Sequence, residues 1–574
     1  MTRTGERAVR SRMETPRWVA RIQQAGGPVV GAGVLLGPDR VLTGAHVVSP
    51  GEQYVVHFVG VRGVPAVAAT VSADEHVPQQ EDSFGDRTGD LALLRLAEPR
   101  PVRQTTRLFR LAASREGVGM YGFPEGDDGG RWHSATLVGG RGRDSQVQLR
   151  PETPGELAGP GFSGGGVVDY ATGELIGIVL SVDTGEGSAF TYMSPTETIL
   201  RHLPQVAAWT VGPSAVDPKL HPGDSGGELD VPFATELAAW FRGEGWPVLV
   251  TVVPVRGRRA WTLRRAVTLA DRELRTTNNT SRFSGDPPET VPPPGGHDLA
   301  LVVKGLTVAQ VMDRIAERLG VPRDTAVPLP EQIVAMGITL AAVLVGVDEA
   351  AEPDLLLGML ERLAERGARL LLVFRTPDGR AAQAADTLVH RPLRDRWARL
   401  RTDLDRIVDR LGPALDTRLV RVLPGGGPET AHLIDRARRG IPLTRLLRGR
   451  LTEAAGREPE PLRADDLFVY EAAAARRTRR LERALAILDA RIARRDELRG
   501  RVASVWELYK RKADPAQPGR NLTAYELYAT ASGLLREAPC DVDAAERAVG
   551  RFVAYCSGHP GTSGTDDSGS EDTP

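Results

Sequence analysis

A chain of 574 residues is too long for one hydrophobic core, and at about 100 to 200 residues per domain it is expected to divide into three. With 41% hydrophobic and 26% charged residues it has an ordinary globular composition, and a formal net charge of -1 excludes a global attraction to nucleic acid or to an anionic membrane. The two cysteines, Cys540 and Cys556, leave everything before them without a disulfide; they could pair, but reduced, buried helix residues are the reading preferred.

Residues 1–17 carry several arginines with no apolar segment of signal-peptide length behind them, and no stretch reaches the roughly 18 apolar residues of a membrane span. A cytoplasmic protein is expected. From residue 17 to 205, short apolar runs at 29–36, 54–59, 91–96 and 175–180 are punctuated by glycine and proline, the pattern of antiparallel β structure. Residues 206–232 are rich in glycine, proline and small polar residues and read as a linker. From 233 to 425 helix and strand signals alternate: helical at 233–242, 308–319 and 354–366, apolar at 248–253, 299–303, 338–347 and 370–374, with a Pro/Gly/Asn/Ser-rich insertion at 276–296. That alternation implies a parallel sheet covered by helices.

Residues 426–560 are helix formers, with a long helix expected at 467–510 and Leu481, Leu485, Leu488 and Ile492 at the spacing of a packing seam. The arginine-dense faces there read as solvated, and Trp506, Tyr509, Tyr525 and Tyr528, at helical spacing, read as core. The acidic tail 561–574 has too few apolar residues to order itself. No metal-ligand cluster stands out, and the ten histidines are scattered.

Three segments carry chemistry. Val41-Leu42-Thr43-Gly44-Ala45-His46 places a histidine after a short strand and a small-residue turn, Gly89-Asp90-Leu91-Ala92-Leu93-Leu94 an aspartate at the mouth of an apolar strand, and Gly161-Phe162-Ser163-Gly164-Gly165-Gly166 a serine in a glycine-rich turn. Serine becomes a competent nucleophile when a histidine takes its proton, a carboxylate orients that imidazole and backbone N–H groups receive the oxyanion. In this order the motifs resemble the trypsin-like serine proteases, over about 190 residues, most closely the protein-quality-control branch. The resemblance implies an all-β double β-barrel with the site between the barrels. It makes His46 general base then acid, Asp90 the orienting carboxylate and Ser163 the nucleophile, with the N–H groups of Gly161 and Ser163 as oxyanion donors. Phe162 stands where the digestive enzymes have an aspartate that pairs with a new N-terminus, so activation by N-terminal cleavage is not expected. The family's pocket positions point to Leu157 at the base, with Ser181 and Ala189 on the wall and Glu156 or Asp183 at the rim, which suits a medium apolar side chain.

His221-Pro222-Gly223-Asp224-Ser225-Gly226-Gly227 repeats the family's serine string more faithfully, but lies beyond the second barrel and precedes a helical run; Ser225 and Glu228 fit a capping box there. Asp348-Glu349, ending the apolar run 338–347, resembles the acidic pair of STAND-type P-loop ATPases. No glycine-rich phosphate loop accompanies it around Lys304-Gly305-Leu306-Thr307, so the domain reads as a degenerate nucleotide-binding-like fold without a cofactor, or as a generic α/β domain whose carboxylates form a strand-end turn.

The expected molecule thus combines a double β-barrel, an α/β parallel-sheet domain and an all-α C-terminal region. It resembles the protease effectors of bacterial conflict systems, which implies a regulated endopeptidase acting on a protein substrate, with a regulatory or sensor protein docked on the helices and neither nucleic acid nor membrane as partner. An inactive protease-fold scaffold that binds peptide segments, and a nucleotide-responsive switch, are the rival readings.

Overall fold

The computed structural model describes residues 15–81, 87–110, 117–125, 127–140, 144, 146–153, 159–183, 190–221, 227–321, 327–336, 340–455 and 464–558. By packing it falls into two units, Met1–Arg391 and Pro392–Pro574.

The first unit opens with two closed antiparallel rings of six strands. One runs Arg40–Thr43, Val29–Gly37, Val19–Gln24, Tyr54–His57, Val67–Thr70, Leu91–Leu96 and back to Arg40–Thr43. The other runs Gly166–Asp169, Val118–Gly122, Arg131–Gly140, Val147–Pro151, Phe190–Pro195, Leu175–Asp183 and back to Gly166–Asp169. The double barrel is therefore present. Leu91–Leu96 is apolar almost throughout because both of its faces are covered: Ala92, Leu94 and Leu96 fill the first barrel, while Leu91 and Leu93 pack with Leu175, Ile178 and Leu180 of the second. At about 1.5–3 kcal/mol for each fully buried aliphatic side chain, this strand fastens the barrels together and fixes the residue that precedes it, Asp90.

The segment expected as a linker is built into both neighbours. Thr210–Val211 joins the second barrel's sheet in parallel with Leu108–Phe109, and Val216 forms a parallel bridge to Ala300. Val216 and Leu220 are buried in the α/β domain's core, so small polar composition here marks close packing and not a tether.

The four-stranded parallel sheet has the order Val248–Val252, Arg369–Phe374, Ala341–Val345, Leu299–Val302. Alternate residues of its central strands face opposite sides: Leu370, Leu372, Ala342 and Leu344 meet the helices Val308–Leu319 and Pro353–Glu365, whereas Leu371, Val373, Val343 and Val345 meet Val231–Phe241 and Arg258–Ala270. The cap of Val231–Phe241 is Asp230, whose side chain accepts from the Phe233 N–H, so the capping box expected from Ser225 and Glu228 does not serve this helix. Ser225 itself lies outside the described residues. Asp348 and Glu349 close a strand-end turn: Asp348 accepts from the Arg375 and Thr376 N–H groups and the Thr376 hydroxyl, while Glu349 pairs with Lys304 and Arg375. Both carboxylates are committed to the fold.

The second unit is helical, with Gly412–Arg421, Pro428–Ala455, Ala464–Lys512, Pro518–Arg536 and Val542–Cys556. The helices at 391–421 begin before residue 426, where the sequence places the start of the helical region. Leu481, Leu485, Leu488 and Ile492 are buried as a seam. Trp506 stacks on Tyr528 at 4.5 Å, but Tyr525, expected in the core, is 55% exposed. Both cysteines are free; Cys540 is buried in a β-bridge to Val422 and not in a helix, and Cys556 ends the last helix. No described helix is long and apolar enough to cross a membrane.

Candidate active site

His46 lies on the single 3-10 turn Ala45–Val47, directly after the strand Arg40–Thr43. Gly44 keeps the turn open, because a Cβ there would stand 3.0 Å from the imidazole Cε1. From the other side His76, on the strand His76–Val77, points its Nε2 at the carbonyls of Ala45 and Val48 at 3.1 and 3.0 Å and so braces both ends of the turn. Sequence reasoning missed His76, and no local motif marks it.

Asp90 reaches His46 three ways. Its two carboxylate oxygens each lie 2.9 Å from Nδ1, and Oδ1 also accepts the His46 backbone N–H at 3.0 Å. An ionised carboxylate only accepts, so Nδ1 carries the ring hydrogen and Nε2 is left as the basic nitrogen. The hydrogen bond to Asp90, joined by its negative charge, raises the His46 pKa above the ordinary 6.5 and outweighs the opposing effect of burial. Gly89 and Asp90 hold φ of +85° and +66°, two consecutive left-handed residues, of which the second is not glycine. The Gly89 N–H is anchored to Asp144 Oδ2 at 2.9 Å, a contact equally invisible in the sequence.

The serine turn is pinned from both barrels. The Ser163 carbonyl accepts from Ala32 N–H of the first, while the Gly164 N–H donates to Val179 O of the second, each at 2.8 Å. Thr43, three residues before His46, donates its hydroxyl to Ala32 O, so one residue of the strand Val29–Gly37 ties the histidine's strand to the serine's turn. The glycines are dictated by backbone: a Cβ on Gly161, at φ +95°, would lie 2.0 Å from Phe123 O, and one on Gly164, at φ +81°, 2.2 Å from Ala32 O. Phe162 is buried in the second barrel, edge-on to His133 at 5.1 Å, which anchors the turn with an apolar side chain. Among the described residues neither the Gly161 nor the Ser163 N–H donates a hydrogen bond.

The structure thus brings His46 onto Asp90 and seats the Ser163 turn against Val29–Gly37, the strand to which Thr43 also bonds. The Ser163 hydroxyl itself lies 3.5 Å from Leu180 O and makes no hydrogen bond to His46. Of the pocket residues, Ser181 lies on the strand Leu175–Asp183, opposite Tyr192; Leu157 and Ala189, with Glu156, lie outside the described residues. No group of three or more metal-ligating side chains occurs among the described residues.

Residues 31–178 match the family model of the trypsin-like peptidase domain. No curated protein matches the chain. Among solved structures, the serine endoprotease from Yersinia pestis is 19% identical, with 36% of this chain and 68% of that chain covered and a TM-score of 0.27. The MamO protease domain from Magnetospirillum magneticum is 19% identical over 33% of this chain and 98% of that one, TM-score 0.26. The Rv3671c protease from M. tuberculosis, active form, is 20% identical over 35% and 83%, TM-score 0.26.

Proposed function

We propose that the chain is a serine endopeptidase that cuts a protein substrate through an acyl-enzyme, with His46, Asp90 and Ser163 as its catalytic residues. The His46–Asp90 bond carries this reading, with the Gly161 and Ser163 N–H groups unbonded in the serine turn. Ser163 Oγ attacks the scissile carbonyl as His46 Nε2 takes its proton. Asp90 holds the tautomer and stabilises the imidazolium, and the N–H groups of Gly161 and Ser163 receive the oxyanion. Nε2 then protonates the leaving amine, and water repeats the sequence on the ester.

Regulation is the second part of the proposal. The peptidase domain shares a buried interface with the α/β domain, where Arg318 donates to Glu197 at 2.9 Å, the two side chains being 1% and 4% exposed. A peptidase so fastened suits an effector held in check until a regulatory or sensor protein, docked on the helical region, releases it in a defence or signalling system. The absence of cysteine before Cys540 suits the cytoplasm. Preference for a medium apolar residue at the cleavage site follows from the family resemblance at Leu157.

The Ser163 contact with Leu180 O favours a second reading, a peptide-binding scaffold without catalysis. Fluorophosphonate labelling decides between them: the full chain is expected to label, alone or once a candidate partner releases it, Ser163→Ala to abolish that labelling and Ser225→Ala to leave it unchanged. A full chain that stays unlabelled alone and with candidate partners supports the scaffold.

A further inference from the structure

Asp144 lies far from the three motifs, yet it is the group that holds the backbone just before Asp90. Its side chain is almost wholly buried, and its carboxylate has three partners: the Gly89 N–H at 2.9 Å on Oδ2, His202 Nε2 at 2.8 Å on the same oxygen, and the Arg201 guanidinium on Oδ1. Burial and the neighbouring Arg201 keep His202 neutral, with a pKa of about 3, and because an ionised carboxylate only accepts, the Nε2 that faces Asp144 carries the ring hydrogen. The Asp144 carbonyl also accepts from the Thr198 hydroxyl at 3.3 Å. Thr198, Arg201 and His202 all belong to the helix Thr196–His202. The same helix carries Glu197, whose buried partner Arg318 comes from the α/β domain and also donates to Asp298 O and Arg110 O.

We propose that Asp144 is a positioning residue for the His46–Asp90 pair: it clamps the left-handed Gly89–Asp90 turn and couples it, through the helix Thr196–His202, to the α/β domain. A non-glycine residue at positive φ is sterically disfavoured and persists only where its surroundings hold it. Gly89 is fixed by its N–H on Asp144 and by close approach to Pro78 O, 2.6 Å from where a Cβ would stand. Released from Asp144, the turn relaxes toward ordinary φ and swings the Asp90 carboxylate away from Nδ1. A cavity alongside is walled by Thr88, Asp144 and His202 on the barrel side and by Arg275 and Thr280 of the α/β domain, so displacement of that domain alters the surroundings of the clamp directly.

The proposal rests on the peptidase reading for its consequence but not for its test. In the full chain, with histidines isotopically labelled, the His46 pKa is read by NMR in wild type and Asp144→Ala, and the fluorophosphonate labelling rate is measured alongside. Asp144→Ala is expected to bring the His46 pKa down toward 6.5 and to slow labelling on the order of tenfold or more. Asp144→Asn, which keeps an acceptor for the Gly89 N–H, recovers much of both. An unchanged His46 pKa in Asp144→Ala, whatever the loss in melting temperature, makes Asp144 merely structural and overturns the proposal. Should Asp144→Ala fail to fold, amide exchange of Gly89 in the wild-type chain decides instead: protection like that of the barrel core supports the clamp, and exchange at the rate of an open loop refutes it. Failure of wild type to label, alone and with candidate partners, defeats the peptidase reading and not this one, because the His46 pKa is still measured.

Discussion

At Gly161 one hydrogen atom separates the proposed oxyanion donor from a steric collision. Alanine there would drive its Cβ to 2.0 Å from Phe123 O at a φ of +95°, so the Pro160-Gly161 peptide must turn and withdraw its N–H. Losing one such donor reduces turnover about 10²- to 10³-fold, and Gly161→Ala is expected to slow fluorophosphonate labelling of Ser163 by that factor while the His46 pKa, set by Asp90, stays raised. The raised pKa has two consequences of opposite sign. As the proposed base His46 works in its neutral form, so labelling should rise with pH through an inflection above 6.5 and fall away in acid. Stability runs the other way: the imidazolium gains from Asp90 in the folded state, a contribution fully present below 6.5 and lost as pH rises through the folded pKa. Thermal melts should therefore show a larger gap between wild type and Asp90→Asn at pH 5.5 than at pH 9; a gap independent of pH would mean that His46 does not gain from Asp90.

Elements show where local pattern suffices and where it does not. The apolar run at 91–96 is a strand of those bounds, and 308–319 a helix of those bounds, because the burial that shaped each sequence follows a simple rule: both faces covered in the first, one stripe in the second. The helix Arg258–Ala270 escaped notice because its buried face includes Arg265, whose side chain is wholly enclosed, donating to Asp286 at 2.6 Å and to Thr290 O at 3.0 Å. Those partners lie in the polar insertion 276–296, which is therefore a lid of hydrogen-bond acceptors over a buried cation. Arg265→Leu leaves the Thr290 carbonyl unpaired and Asp286 without its counter-ion, and is expected to destabilise the first unit by about 3 kcal/mol in urea unfolding. The candidate site divides the same way. His46, Asp90 and Ser163 are legible because each sits within a short motif whose glycines have backbone reasons, whereas His76 and Asp144 act across the fold and leave no mark on neighbouring residues. The fit of 210–216 into two sheets was hidden for a further reason: glycine, proline and small polar residues make a tether and a tightly packed crossing look alike in sequence.

On the scale of the first unit, the barrels and the α/β domain meet through a charge pair that neither can satisfy alone. Arg318 and Glu197 are both buried, and Arg318 reaches Asp298 O of its own domain and Arg110 O of the barrels as well. A second pair, Arg110 with Glu273 at 3.0 Å, lies nearer the surface and contributes less. Removing one member of a buried pair strands the other charge at a penalty of about 3–5 kcal/mol, whereas replacing both by apolar residues removes the desolvation along with the attraction. Arg318→Leu and Glu197→Leu should each destabilise the first unit by about 3 kcal/mol, and the double variant by no more than either single change. The double-mutant cycle in urea then yields a large coupling energy, and strictly additive losses would show that the two charges do not sense each other across the interface. Such an interface makes the peptidase domain's stability depend on its neighbour: a chain ending near residue 205 retains Glu197 without its cation, and the helix that holds Asp144 loses the contact that docks it.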